Sequence, residues 1–422
     1  MRSAMMVGVL CLRLLSALLC EARLDLLLIP HDAGESNFLR PVLDKLLLFF
    51  GGQQQQYNIS VLTLGEPATS IFANYSQAVT LADLGVQVQV QDGASDRSQL
   101  LNARDLQSVA RQLQPRVVVE GMVYQMQAQL GSAFKIAADA GADVRVVGIF
   151  DSFALWDPSN FGSEYFVAPA AVDECFLCAR QQQAGVTATN TVVQPTVTGS
   201  PTLGSWQEVA SDEELVAAAR ESMLRAATAV PVEEQVVVTI AGGYGSPGGT
   251  YDDALAVLCE TALQSPSGSS SSASSSSSYI SFFFSPHPGY PPSYESAFFE
   301  EHGCGADITI IAESMQLSTA LVFAASNATL SQCSTTGGQS LAIAVPHVYV
   351  AGAADADSQC SDVFADAGLI PTVSSASELL AALGVLGRSV PPYSVHKGAL
   401  PEAGVPLDGE EEAVRRLFTL LQ

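Results

Sequence analysis

Short segments that are apolar throughout recur along this chain, each followed by a stretch of helical period, and the pattern begins a second time near residue 235. Strands that are apolar on both faces belong to parallel sheets covered by helices above and below. The first series predicts strands over 24–30, 59–64, 86–90, 117–120, 144–150 and 192–198, with helices over 36–50, 102–113 and 127–140. A helical connector over 212–229 leads into the second series. There, 235–241, 280–284, 308–311, 320–323 and 347–350 read as strands, and 251–263 and 339–343 as helices. Right-handed crossovers then make each series a doubly wound, Rossmann-like α/β domain. The expected division is a first domain over 23–205, a linker over 206–232, a second domain over 233–395, and a tail with a helix over 396–422. The apolar stripe Val414, Leu417, Leu420 and Leu421 makes that last helix dock on a domain.

Composition narrows the partners. The 422 residues carry 43 acidic against 18 basic side chains, a formal charge of −25. Such a surface repels nucleic acid and anionic lipid. An anionic ligand must therefore be held by local dipoles against the field of the whole molecule. The serine tract over 265–278 has nothing to bury and reads as a disordered insertion. At the N-terminus, Arg2 precedes an apolar run over 4–19, and Cys20-Glu21-Ala22 places small residues at a cleavage site. This is the pattern of a signal peptide over 1–22, cleaved or retained as an anchor. With the sequons at Asn58, Asn74 and Asn327, it predicts a lumenal or secreted protein. Cys175-Phe-Leu-Cys178 has no second pair and no nearby histidine to complete a metal set. Within 170–183, which reads as a helix, these are buried thiols or one disulfide.

Chemistry-bearing residues gather where strands end. Gly242–Gly249 stands between a strand and a helix, so backbone amides there can approach a ligand closely. His287-Pro288 follows the strand over 280–284, and a histidine there can donate to a phosphate oxygen. Ser334-Thr-Thr-Gly-Gly338 precedes a helix and offers hydroxyls and free amides. In the first domain, His31, Asp32 and Glu35 lie in one strand–helix loop, and Glu120 and Asp151 lie at strand ends. A carboxylate or imidazole among them is placed to serve as a general base.

The order glycine turn, His-Pro, then Ser-Thr-Thr-Gly before Val345-Pro-His-Val resembles the C-terminal domain of GT-B nucleotide-sugar proteins. These include non-hydrolysing UDP-N-acetylglucosamine 2-epimerases, His-Pro motif sialyltransferases and glycerophosphotransferases. His31–Asn37, the segment 144–157 with Asp151 and Trp156, and Thr198-Gly-Ser-Pro201 resemble the cleft-facing parts of their first domains. The likeness spans most of the chain as an architecture with short motifs, and no single family matches throughout. It implies two Rossmann-like domains facing a cleft. The donor phosphates would lie on Gly243, Gly245, His287, Ser334, Thr335 and Thr336, and the acceptor would be activated by Asp32, Asp151, Glu35 or His31. The activity implied is transfer from a nucleotide sugar to an acceptor, with epimerisation of the sugar nucleotide, or binding without turnover, as alternatives. No cofactor or metal is called for. The acidic general-base motif of those sialyltransferases is not evident, and no lysine or arginine lies within the three anion-seating elements of the second domain.

Overall fold

The computed structural model describes residues 23–51, 57–88, 99–122, 124–137, 144–153, 172–189, 193–227, 235–242, 250–265, 279–286, 292–311, 313–332, 334–351, 362–386 and 399–422. The signal segment, all of the serine tract beyond Ser265, and the sequence motifs at 243–249 and 287–291 lie outside them. Among the described residues no helix is long and apolar enough to cross a membrane.

The first domain runs β1 (Leu26–Ile29), α1 (Ala33–Gly51), β2 (Ile59–Thr63), α2 (Glu66–Phe72), β3 (Ala78–Thr80), α3 (Ala103–Leu113), β4 (Val117–Gly121), α4 (Gln125–Ala137), β5 (Arg145–Ile149), β6 (Glu174–Leu177), α5 (Gln182–Thr189) and β7 (Gln194–Val197). Its seven strands, all parallel, are ordered β3-β2-β1-β4-β5-β6-β7. Two helices follow, α6 (Thr202–Ser211) and α7 (Glu213–Ala226). The second domain runs β8 (Gln235–Ala241), α8 (Thr250–Gln264), β9 (Tyr279–Ser285), α9 (Ser293–Glu301), β10 (Ile308–Ile310), α10 (Thr319–Ala324), β11 (Ala328–Ser331), α11 (Thr336–Ala342), β12 (His347–Val350), α12 (Val363–Asp366), β13 (Thr372–Val373) and α13 (Ala376–Leu386). Its six strands are also all parallel, ordered β10-β9-β8-β11-β12-β13. Helices α14 (Ala399–Glu402) and α15 (Gly409–Leu421) close the chain. Both sheets reverse direction of growth beside their first strand, between β1 and β4 and between β8 and β11. In open α/β sheets such switch points are where ligands bind, at the carboxyl ends of the strands.

Three expectations are corrected. Residues 320–323 form helix α10, because the Ser318 hydroxyl accepts from the Leu321 N–H and starts a helical turn; the strand is 328–331, whose Thr329 and Ser331 made it look polar. Residues 174–177 are strand β6, paired on both sides by β5 and β7, within the stretch read as a helix. A short apolar run cannot be told from a buried helix by period alone. The third strand is the half-exposed edge β3 at 78–80, not 86–90. Residues 86–88 follow a turn ending at left-handed Gly85 and carry no strand, and 89–90 lie outside the described residues.

The two domains share packing. Helix α6 places Leu203 in the core of the first domain and Trp206 edge-on to Phe323 of the second, ring centroids 5.4 Å apart. Helix α15 returns to the first domain, where Val414, Leu417 and Leu421 join the core beside Leu43 and Leu46. Arg416 holds the buried Glu174 of β6 with two bonds of 2.7 and 2.8 Å. Cys175 and Cys178 are buried free thiols, while Cys259 of α8 is bonded to Cys304 beyond α9.

Candidate active site

The carboxyl end of β1 sits at the switch point of the first sheet, and the chain turns there through Pro30-His31-Asp32 into α1. Asp32 starts that helix: its Oδ1 accepts from the Glu35 N–H at 2.9 Å, the local bond that makes aspartate favourable at a helix start. Glu35 folds back beneath the turn. Its Oε2 accepts from the His31 N–H at 2.8 Å and from Gln127 Nε2 of α4 at 2.7 Å. The same amide of Gln127 donates to the Ile29 carbonyl at 2.8 Å, so α4 is tied to the end of β1. Glu35 Oε1 is buried without a hydrogen-bond partner and occupies the space above Gly121 at the end of β4, where any Cβ would overlap it. Tyr124 lies flat on the His31 ring, centroids 3.6 Å apart, and gives its hydroxyl to Asp32 Oδ2 at 3.1 Å.

Asp151 comes to the same place from the end of β5. Its Oδ2 and Oδ1 of Asp32 flank the exposed Gly34, and a Cβ there would overlap the Asp151 carboxylate and lie 3.4 Å from Asp32. Three carboxyl groups therefore converge on one turn. Burial, together with the nearby charge of Asp32, pushes the Asp151 carboxyl up to about 7. Burial, then the charges of Asp32 and Asp151, push Glu35 well above the usual carboxylate range, against the opposing bonds from His31 and Gln127. Asp32 and Asp151 are half-buried, whereas His31 and Glu35 are 5% and 1% exposed. Glu120 is likewise fully buried within β4, raised by burial, and lies apart from this group.

In the second domain Gly243, Gly245 and His287 lie outside the described residues. Ser334, Thr335 and Thr336 follow β11 and lead into α11. The Ser334 hydroxyl accepts from the Thr336 N–H at 3.4 Å, its carbonyl from Gly337 at 3.0 Å, and Thr336 Oγ1 is buried with no partner. Behind this turn Tyr349 of β12 donates to the Ser334 carbonyl at 3.4 Å and to the Asp362 carboxylate, which also caps α12. His347 is buried between Thr329 and Ser331, at 2.7 and 2.8 Å, and burial lowers it to about 3, so it is neutral. Tyr124 and Gln127 were not singled out in the sequence. Only the position of α4 beside the β1 turn, 92 residues away, gives them a role. Among the described residues no group of three or more histidine, cysteine or acidic side chains could hold a metal ion.

No protein-family model and no curated protein matches the sequence. Solved structures do match the fold. A Staphylococcus aureus MnaA–UDP co-structure aligns at TM-score 0.62 and 9% identity over 94% of this chain and 96% of its own. A UDP-GlcNAc 2-epimerase from Neisseria meningitidis, bound to UDP-GlcNAc, aligns at TM-score 0.60 and 11% identity over 94% and 99%. The wall teichoic acid polymerase TagF aligns at TM-score 0.53 and 9% identity over 94% and 88%. With two all-parallel, doubly wound sheets and neighbours of this kind, the chain has the GT-B fold.

Proposed function

We propose that this protein is a nucleotide-sugar-dependent glycosyltransferase of the secretory pathway, with Asp151 as its general base. The observation that carries the reading is Asp151 itself: a half-buried residue whose carboxyl, raised to about 7 by burial and by Asp32, lies on the domain face that meets the second domain. A base with that pKa is half ionised at neutral pH and still basic enough to take a proton. It removes the acceptor hydroxyl proton as the oxygen bonds to the sugar carbon and the nucleoside diphosphate leaves. Asp32, bonded to Tyr124, lies beside it across Gly34. Donor phosphates would rest on Ser334, Thr335 and Thr336, with Gly243, Gly245 and His287 completing the seat through amides, hydroxyls and imidazole. GT-B neighbours solved with UDP-GlcNAc and with UDP support a uridine nucleotide as the first donor to try. The Cys259–Cys304 bond supports an oxidising, lumenal setting, since disulfides persist there.

A second reading, epimerisation of the sugar nucleotide, is favoured by the two carboxylates, Asp32 and Asp151, that flank Gly34. Inverting a sugar carbon needs a proton removed and another delivered, and Asp32 and Asp151 can divide that work. One experiment separates these readings. The purified protein is given UDP-GlcNAc with and without a panel of hydroxyl acceptors, and UDP release and the proton NMR spectrum of the sugar are followed. Transfer releases UDP only with acceptor, and epimerisation changes the sugar spectrum with no acceptor. If neither occurs with any common nucleotide sugar, the chain is a binding protein and the catalytic reading fails.

A further inference from the structure

The segment that carries Asp151 is gripped from both domains. On the first-domain side, Cys178 Sγ donates to the Phe150 carbonyl at 3.2 Å and Gln182 Nε2 to the Ser152 carbonyl at 2.8 Å. On the other side, the very next carbonyl, that of Phe153, accepts from the Val363 N–H at 3.1 Å, at the first turn of α12 in the second domain. The Phe153 ring, 2% exposed, meets Phe364 edge-on at 4.8 Å between centroids. It also lies over Gly338 of α11, where a Cβ would come within 2.6 Å of it. Phe364 follows Asp362, whose carboxylate holds the Tyr349 hydroxyl behind Ser334. One continuous set of contacts thus joins Asp151 to the turn over 334–338.

We propose that Phe153 is an interdomain positioning residue, clamped by Gly338 and Phe364 so that residues 151–153 hold the Asp151 carboxylate against Gly34 and away from bulk water. The proposal rests on Asp151 being the base for its catalytic meaning, but the clamp itself is a physical property that can be measured without turnover. The titratable groups facing Asp151 are Asp32 from the β1–α1 turn, Glu35 from α1 and Cys178 from the end of β6. None of these is altered by a change at Phe153 or Phe364. Loosening the clamp admits water and lets the carboxylate ionise more readily.

The test is a carboxyl ¹³C NMR titration of aspartate-labelled protein, with Asp151→Asn identifying the resonance. Wild type is compared with Phe153→Ala, Phe153→Leu and Phe364→Ala. Asp151 should titrate near 7 in wild type and fall toward the ordinary value of about 4 in both alanine variants, with leucine between. The Phe364 variant is the decisive one, because it lies in the other domain. If Phe153→Ala does not fold, Phe153→Leu and Phe364→Ala carry the comparison. An Asp151 titration unchanged in both Phe364→Ala and the folded Phe153 variants overturns the clamp. In the transfer assay the same variants should lose about 100-fold in kcat with little change in donor KM, the penalty of a misplaced base. Full transfer by Asp151→Asn would instead sink the functional reading and leave the titration to decide the clamp.

Discussion

Gln127 reaches from α4 to Glu35 at 2.7 Å, across 92 positions of sequence, and is one of two donors that the structure gives this buried carboxyl group. Replacing Gln127 with leucine leaves Glu35 with the His31 N–H alone, and a buried polar group stripped of a partner costs about 1–3 kcal/mol. Urea unfolding at pH 7 should show a lower midpoint with an unchanged slope. Glu35→Gln acts in the opposite sense. A carboxyl raised in the folded state contributes stability fully below its unfolded value, near 4.3, and loses it as pH rises through the folded value. The glutamine variant should therefore gain on wild type more at pH 8 than at pH 5. An equal difference at both pH values would show that Glu35 is not held neutral by burial.

Asp151 sets a trade between stability and turnover. Its carboxyl moves from an ordinary 3.8 to about 7, so ionising it destabilises the fold progressively from about pH 4 to pH 7. Asp151→Asn should melt higher than wild type at pH 8, and the gain should vanish below about pH 4. The same change should lower transfer by about 10²–10⁴-fold, and wild-type kcat/KM should rise with pH to a plateau above about 7. Calorimetric scans and initial rates on the same samples check both limbs.

His347 makes the second domain sensitive to acid. The imidazole, lowered to about 3 by burial, is free to protonate near 6.5 only when unfolded. Its stabilising effect is complete above 6.5 and is lost as pH falls toward 3, with a slope of up to about 1.4 kcal/mol per pH unit. His347→Asn gives up one of the two hydroxyl contacts. It should be about 1 kcal/mol less stable at pH 7 and show a flatter acid limb in urea titrations. A parallel acid limb would assign the sensitivity to other groups.

The Cys259–Cys304 bond closes a loop with a sequence separation of 45 residues. The chain-entropy account assigns such a loop about 4 kcal/mol at 25 °C. Reduction, or the double serine variant, should lower the melting temperature of the second domain. Labelling of free thiols under native conditions should leave Cys175 and Cys178 unmodified, since burial raises both.

Much of this could be read from the chain, and the misses have physical causes. Strands such as 117–121 and 235–241 are apolar on both faces because helices cover both, so their pattern survives without context. Strand 328–331 hides because Thr329 and Ser331 are satisfied by His347 from the neighbouring strand. The helix over 319–324 did carry a signal, the Ser318 cap, but three consecutive large apolar residues, Leu321 to Phe323, outweighed it. His31, Asp32 and Glu35 are neighbours in sequence, so their meeting was legible. That Asp151 joins them while Glu120 does not depends on which way each strand end turns, and Tyr124 and Gln127 depend on the seating of a helix far along the chain. The clamp at Phe153 needs both sheets to exist before it can be seen.

The chain passes between the domains twice, at 198–202 and again at 404–409, and the two passages touch. Gly199, at φ 82°, leaves room for the Pro406 carbonyl and Gly409, and a Cβ on Gly409 would come within 2.8 Å of the Gly199 and Ser200 backbone. Two strands of covalent chain are pinned there at one point. Cys178 lies against both Ser200, at this crossing, and Asp151, and Gln339 reaches Thr202 at 3.3 Å from the helix that follows the 334–338 turn. The crossing is thus the floor of the candidate site, and bulk added at Gly199 or Gly409 would press upward on Asp151 and on the helix after residue 338 before it was felt anywhere else.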